Sequence, residues 1–337
     1  MKFLTKVLLT SMLLTLLWRP ARAENDDWQG IDSLVTKNDS VERFFSLRYG
    51  ILNGYTKYRI EFSGGASELE FPLNNSMWGA TAGFTFKKDP KDMNNAAKLE
   101  FRWYTNTGRD AGKLKDSDWI DDDIGYFRDV FGVNLGQNHS GVDIYSESEA
   151  SAEARFIDVN YFYNLYPDQY LSFGPKIGYQ TIRFAYDINN VNQVGYGPYA
   201  PYETLSQNGK VLDYQVDYDL IYLGVDVVLG SPDKVLCTAG FGYSPWTKAK
   251  DRDDHIARFK LSEADASGDG YLLDGSADWR FLPNWGLTAS GQYTKVHTTG
   301  TQHQSFYDGP LVGTTYDVDD IISAYWWQAN LGIKYFF

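Results

Sequence analysis

The chain closes on Tyr325-Trp326-Trp327-Gln328-Ala329-Asn330-Leu331-Gly332-Ile333-Lys334-Tyr335-Phe336-Phe337. In an extended chain successive side chains point to opposite faces. Tyr325, Trp327, Ala329, Leu331, Ile333, Tyr335 and Phe337 then form one wholly apolar face, and Trp326, Gln328, Asn330, Gly332, Lys334 and Phe336 form a mixed one. The first face suits lipid and the second a wet lumen, which is the pattern of a strand in a transmembrane β-barrel. The alternation recurs at Leu99-Phe101-Trp103, at Ile157-Val159-Tyr161-Tyr163-Leu165, at Leu171-Phe173 with Ile177-Tyr179, and at Val235-Cys237-Ala239-Phe241-Tyr243. A half-buried strand of a soluble sandwich would alternate in the same way. The N-terminal residues separate the two readings.

Lys2 and Lys6 precede an apolar run from Val7 to Trp18, and Ala21-Arg22-Ala23 follows as a small-residue cleavage site. Residues 1–23 therefore read as a secretory signal peptide, and the run is too short to span a bilayer as a helix. Residues 24–337 then form a single exported barrel. The terminal aromatic residue resembles the signal by which bacterial outer-membrane barrels are recognised for assembly.

Short connections set the strand count. Pro167-Asp168-Gln169, Ser231-Pro232-Asp233 and Leu282-Pro283-Asn284 read as tight turns, with a slightly longer one from Lys87 to Asn95. Longer loops are expected near 62–67, 105–152, 186–210, 247–269 and 296–322. Barrels of this kind keep short turns on the periplasmic side and long loops outside. Four turns and two periplasmic termini give an all-β, antiparallel up-and-down transmembrane barrel of about ten strands with long extracellular loops. Its lumen is far narrower than that of a sixteen-stranded porin.

Composition narrows the partners. The chain has 337 residues and a formal charge of −13, which becomes −17 without residues 1–23 and their four cations. Nucleic acid is excluded as a partner, because binding it rests on Lys and Arg neutralising phosphates. The single cysteine, Cys237, can form neither an intramolecular disulfide nor a multi-thiolate site. No cofactor is expected, and no metal, since no loop carries the oxygen-ligand spacing of a Ca²⁺ site. His139, His297 and His303 fall on expected loops without ligand-spaced partners, and no nucleophilic serine sits in a G-x-S-x-G setting.

Two acidic strings stand out, Asp116-Ser117-Asp118-Trp119 and Asp251-Arg252-Asp253-Asp254-His255. Both are expected just beyond strand ends, on loops that project from opposite walls of a ten-stranded ring. Asp253 can orient His255, which becomes a candidate general base for water. Asp116 and Asp118, crowded together, favour sharing one proton. Taken singly, either string also fits a solvated acidic rim.

Tyr243-Ser244-Pro245-Trp246 followed by Asp251-x-Asp253-x-His255 resembles the omptins, outer-membrane endopeptidases of Gram-negative bacteria, and Asp116-x-Asp118-Trp119 resembles their other catalytic pair. Gly178-Tyr179-Gln180 with Arg183, Tyr222-Leu223-Gly224 and the closing Leu331 to Phe336 run match as well. The resemblance implies an aspartic-type endopeptidase acting on polypeptides from the cell surface. In it Asp253 and His255 activate water opposite Asp116 and Asp118, and no acyl-enzyme forms. It places Asp251 at the floor of a pocket for a cationic side chain, where Tyr58 stands in place of the family's second acid. It also places Tyr179 and Arg183 in a lipopolysaccharide site, with Asp217 where a cation is expected. The expected oligomeric state is a monomer. A non-catalytic barrel of the same ancestry, serving as a narrow porin, adhesin or structural protein, is the alternative.

Overall fold

The computed structural model describes residues 41–62, 65–87, 95–120, 142–167, 171–196, 199, 204–230 and 234–337. The expected signal peptide, the turn at residues 231–233 and His139 lie outside the described residues. The strand segments are β1 (Val41–Phe62), β2 (Gly65–Lys87), β3 (Asn95–Asn106), β4 (Asp110–Ile120), β5 (Ile144–Tyr163), β6 (Tyr166–Pro167), β7 (Leu171–Gly195), β8 (Leu205–Gly230), β9 (Val235–His255), β10 (Lys260–Leu282), β11 (Trp285–Phe306) and β12 (Thr315–Phe336). They make ten staves. β3 and β4 are two halves of one stave, since both pair with β2 and with β5, and β6 is the two-residue end of the β5 stave.

All pairings are antiparallel. The first and last staves join from Phe44 opposite Phe336 to Glu61 opposite Asp319, which closes the ring. Closure leaves no open sheet edge for lipid to meet, the condition that a spanning sheet must satisfy. At the break between β3 and β4, the Asn106 amide donates to the Ala152 carbonyl at 2.7 Å and its oxygen accepts from the Ala154 amide at 2.9 Å. One side chain thus replaces a rung of the ladder where the strand bends.

The outward face carries the apolar band expected from β12. Leu331, Ile333, Leu47, Ile51, Ile177, Ile221, Val225 and Leu273 are exposed. Aromatic contacts rim it at two heights, Tyr55 on Tyr325 and Trp78 on Trp103 at one, Trp285 on Tyr335 and Tyr335 on Phe337 at the other. The ten residue steps of β12 from Tyr325 to Tyr335, at about 3.3 Å each and tilted by about 40°, give a band of roughly 25 Å, the height that a bilayer core requires.

The strands run to 20 residues in β5 and 26 in β8, well past the band. This corrects the expected loop boundaries. Most of the stretches read as loops at 105–152, 186–210, 247–269 and 296–322 continue the ladder, because paired backbone groups are satisfied in water as well as in lipid. Four residues separate β9 from β10, and eight separate β11 from β12.

The lumen also differs from the wholly wet one read from the closing strand. Near the turn end it is polar and internally ion-paired: Lys176 bridges Asp226 at 2.5 Å and Asp274 at 2.6 Å, and Lys334 meets Asp278 at 2.6 Å. Above this layer the inward residues of β12 become Trp326, Ala324 and Ile322, and the lumen fills with Phe156, Phe184, Tyr218, Phe71 and Tyr214. Trp326 is fully buried, with Phe184 edge-on at 5.5 Å and Phe156 at 6.1 Å. The acidic residues come above this aromatic layer.

Candidate active site

Asp116 and Asp118 lie on β4, not on a loop, at the register positions opposite Leu69 and Ser67 of β2. Their spacing of two directs both side chains to the inner face. The end of β4 is fixed by Asp143, which accepts the Ile120 amide at 2.8 Å and donates its own amide to the Asp118 carbonyl at 2.9 Å. Trp119, on the outer face, lies under the Arg59 guanidinium at 5.0 Å.

Asp253 and His255 occupy the last positions of β9, before a single 3-10 turn (Ile256–Arg258) and Phe259, whose φ of 52° is left-handed. Tyr307 holds this hairpin, donating its amide to the Phe259 carbonyl at 3.0 Å and its hydroxyl to Asp254 at 2.9 Å. His255 Nδ1 is 2.6 Å from Asp253 Oδ1. The other oxygen of Asp253 accepts a hydrogen bond from the Tyr58 hydroxyl. Asp253 is completely buried, and the bond at Nδ1 leaves Nε2 of His255 for the cleft.

That cleft has a volume of about 740 Å³, and its lining includes Asp116, Asp118, His255, Tyr58, Lys260 and Arg258. The two acidic strings, far apart in sequence, therefore share one cavity. Burial, reinforced by Asp118, pushes the Asp116 carboxyl up to about 8, so at neutral pH it carries a proton. Burial also lowers His255 below its ordinary value, with Asp253 opposing. The imidazole is neutral at pH 7 and can accept a proton.

Residues 46–337 match the sequence profile of the Omptin family. The chain belongs to the omptin family. Among solved structures, this omptin is similar to the outer membrane protease OmpT from Escherichia coli, with a TM-score of 0.71 and 17% identity over 89% of this chain and 98% of that one. The outer membrane protein OprG from Pseudomonas aeruginosa gives a TM-score of 0.36 at 11% identity, covering 88% of this chain and 97% of that one. The translocator domain of the autotransporter NalP from Neisseria meningitidis gives 0.37 at 9% identity, covering 91% and 92%. No curated protein matches the chain in sequence. As an omptin the protein is an outer-membrane β-barrel.

Other residues singled out in the omptin sequence are placed differently from the four above. Asp251 does not line the cleft. It is buried two positions further down β9, where it accepts a long bond of 3.4 Å from the Tyr214 hydroxyl. Tyr58 packs on Tyr214, with ring centroids 5.6 Å apart, so the path from the cleft to Asp251 runs past both rings. Sequence reasoning missed Asp320, 1% exposed on β12, with neither carboxylate oxygen bonded to a described side chain. Burial pushes it up to about 7, and burial together with Asp320 raises Asp251 well above the carboxylate range. The available signal was an acid in phase with Ile322, Ala324 and Trp326. His297 and His303 were expected on loops but lie on β11, and His303 Nδ1 meets Asp317 Oδ1 at 2.7 Å.

At the outer wall, Arg183 is held by both oxygens of Asp217 at 2.6 and 2.9 Å, and the Tyr179 hydroxyl donates to Asp219 at 2.5 Å. The acid found in place of a cation thus occupies the guanidinium fork of Arg183.

The Tyr58–Asp253 bond makes a testable link. Tyr58→Phe removes a donor to a buried carboxylate and leaves more of its charge facing His255, which favours the imidazolium. The acid limb of the pH profile of kcat/KM should move to higher pH, with a loss of about tenfold at neutral pH, the scale of one hydrogen bond to a charged group. An unmoved limb would show that Tyr58 does not tune the couple.

Proposed function

We propose that the protein is an outer-membrane endopeptidase whose cleft opens to the outside of a Gram-negative cell. The observation that carries this reading is His255, tied through Nδ1 to buried Asp253 and turned into the cleft that Asp116 and Asp118 also line. Neutral His255 takes a proton from water, and that water attacks the peptide carbonyl directly. The protonated Asp116–Asp118 pair holds the same water and later supplies a proton to the leaving nitrogen.

Glu61, Asp317 and Asp319 add to the acidity of the cleft and favour cationic peptides. Asp251 and Tyr58 belong to substrate binding in this reading, with a basic side chain reaching Asp251 only if Tyr58 turns aside. Tyr179 and Arg183 meet lipopolysaccharide, whose phosphate must compete with Asp217 for Arg183.

Refolded protein, with and without lipopolysaccharide, should cleave members of a peptide library, with products read by mass. Cleavage should rise through the lowered His255 value below pH 6.5 and fall as pH increases through about 8, where Asp116 loses its proton. A kcat/KM profile without the alkaline fall would remove Asp116 as the proton donor. A protein that cleaves nothing yet conducts ions would favour the porin alternative.

A further inference from the structure

The imidazole takes the proton of water and the one proton of the Asp116–Asp118 pair is kept for the leaving nitrogen, so neither is left to hold the charge that the reaction creates. When water adds to a peptide carbonyl, its oxygen becomes an alkoxide, and a cleft of acids opposes that charge. A donor has to stand where the oxygen will be. Two cations line the cleft, Arg258 and Lys260. Arg258 lies exposed on the turn after β9, where water screens it.

Lys260 is placed otherwise. It opens β10 directly opposite His255 in the β9–β10 register, so the two side chains leave neighbouring strands at one height and on one face. It is 8% exposed, and its ammonium bonds to a neutral acceptor, Gln304 Oε1, at 3.3 Å. Asp253, Asp116 and Asp118 all act on its charge, yet it forms no ion pair among the described residues. Burial pushes the ammonium down, with Arg258 adding to the effect, while the three acids hold it up. A desolvated cation not committed to a carboxylate, beside the base, can donate to a substrate oxygen at full strength.

We infer that Lys260 is a catalytic residue of this omptin: its ammonium donates to the carbonyl oxygen of the scissile peptide and holds the oxyanion. The inference rests on the endopeptidase reading and deepens it. The oxygen of water forms the new bond to carbon, its proton goes to Nε2 of His255, and the carbonyl π pair moves onto the oxygen beside Lys260 Nζ. On collapse that pair re-forms C=O and the C–N bond breaks. The leaving nitrogen takes the proton of the Asp116–Asp118 pair, which the proton on His255 then replaces through solvent.

The test compares one cleaved peptide with its analogue carrying a thioamide at the scissile bond. Lys260→Met should lower kcat about 100-fold, the usual effect of losing one oxyanion donor, with KM changed by no more than about threefold. Lys260→Arg should restore about tenfold of that loss, because the charge remains while the geometry differs. Sulfur in place of oxygen should slow the wild type, and this penalty should shrink by about tenfold in Lys260→Met, where the group that distinguishes the two atoms is gone. A Lys260→Met enzyme within about threefold of wild-type kcat, or an unchanged oxygen-to-sulfur ratio, overturns the inference. If that variant does not migrate as a folded barrel on an unheated gel, Lys260→Gln is read by the same criteria. A wild type that cleaves no peptide would instead overturn the endopeptidase reading. Loss in His255→Ala with none in Lys260→Met would overturn only the role of Lys260.

Discussion

His255→Ala is expected to lower kcat/KM by at least about 10³-fold while the barrel stays folded, since general-base assistance is worth 10²–10⁴-fold and no other neutral base stands in the cleft among the described residues. The geometry explains why the loss should be large. Asp253 is buried, with one oxygen on His255 Nδ1 and the other on the Tyr58 hydroxyl, so its orientation is fixed from two sides. Removing the ring leaves that carboxylate facing the substrate, where a negative charge opposes the oxyanion. Asp253→Asn should be comparably damaging by another route, because an amide can present Nδ1 with a donor and fix the wrong tautomer. Folding is spared, since His255 ends a strand at the mouth, above the aromatic layer. The check is kcat/KM on a peptide taken from the library, with the heat-dependent gel shift as the folding control. A variant retaining more than a tenth of wild-type activity would remove His255 as the base.

The fold was legible because lipid imposes a pattern that can be counted. Tyr325 to Phe337 alternates without a break, and every residue assigned outward there is less buried than its inward neighbours. The extent of the strands was not legible. Beyond the lipid band the outer residues become polar, so Asp187, Lys210 and Lys250 read as loop residues although the ladder runs through them. The two acidic strings could be paired from their spacing and the strand count, but their neighbours could not. Lys260 and Asp320 reach the site only through cross-strand register and the width of the lumen, which no spacing along one strand encodes. Tyr58 illustrates the limit: resemblance marked it as the loss of an acid, whereas the fold gives its hydroxyl to Asp253.

Trp326→Ala is expected to cost about 3–5 kcal/mol of barrel stability, the range for deleting a large buried aromatic side chain, without opening a channel. Trp326 is fully buried at the centre of the lumen and touches Phe156, Phe184 and Tyr218. These rings come from staves on several sides of the ring, so their contacts tie the walls together, and small shifts cannot fill the space that one indole leaves. The midpoint of denaturant unfolding reads this cost, and a change below about 1 kcal/mol would mean that the layer collapses freely around the gap. Conductance asks a separate question. Below the aromatic layer, Lys176 with Asp226 and Asp274, and Lys334 with Asp278, fill the lumen with ion pairs. An ion would have to break these pairs in a desolvated space to pass. Both wild type and Trp326→Ala should therefore show only baseline current in a planar bilayer. Steady unitary current from the wild type would mean that the two layers part, and the narrow-porin reading would then replace a cleft that works above a closed floor.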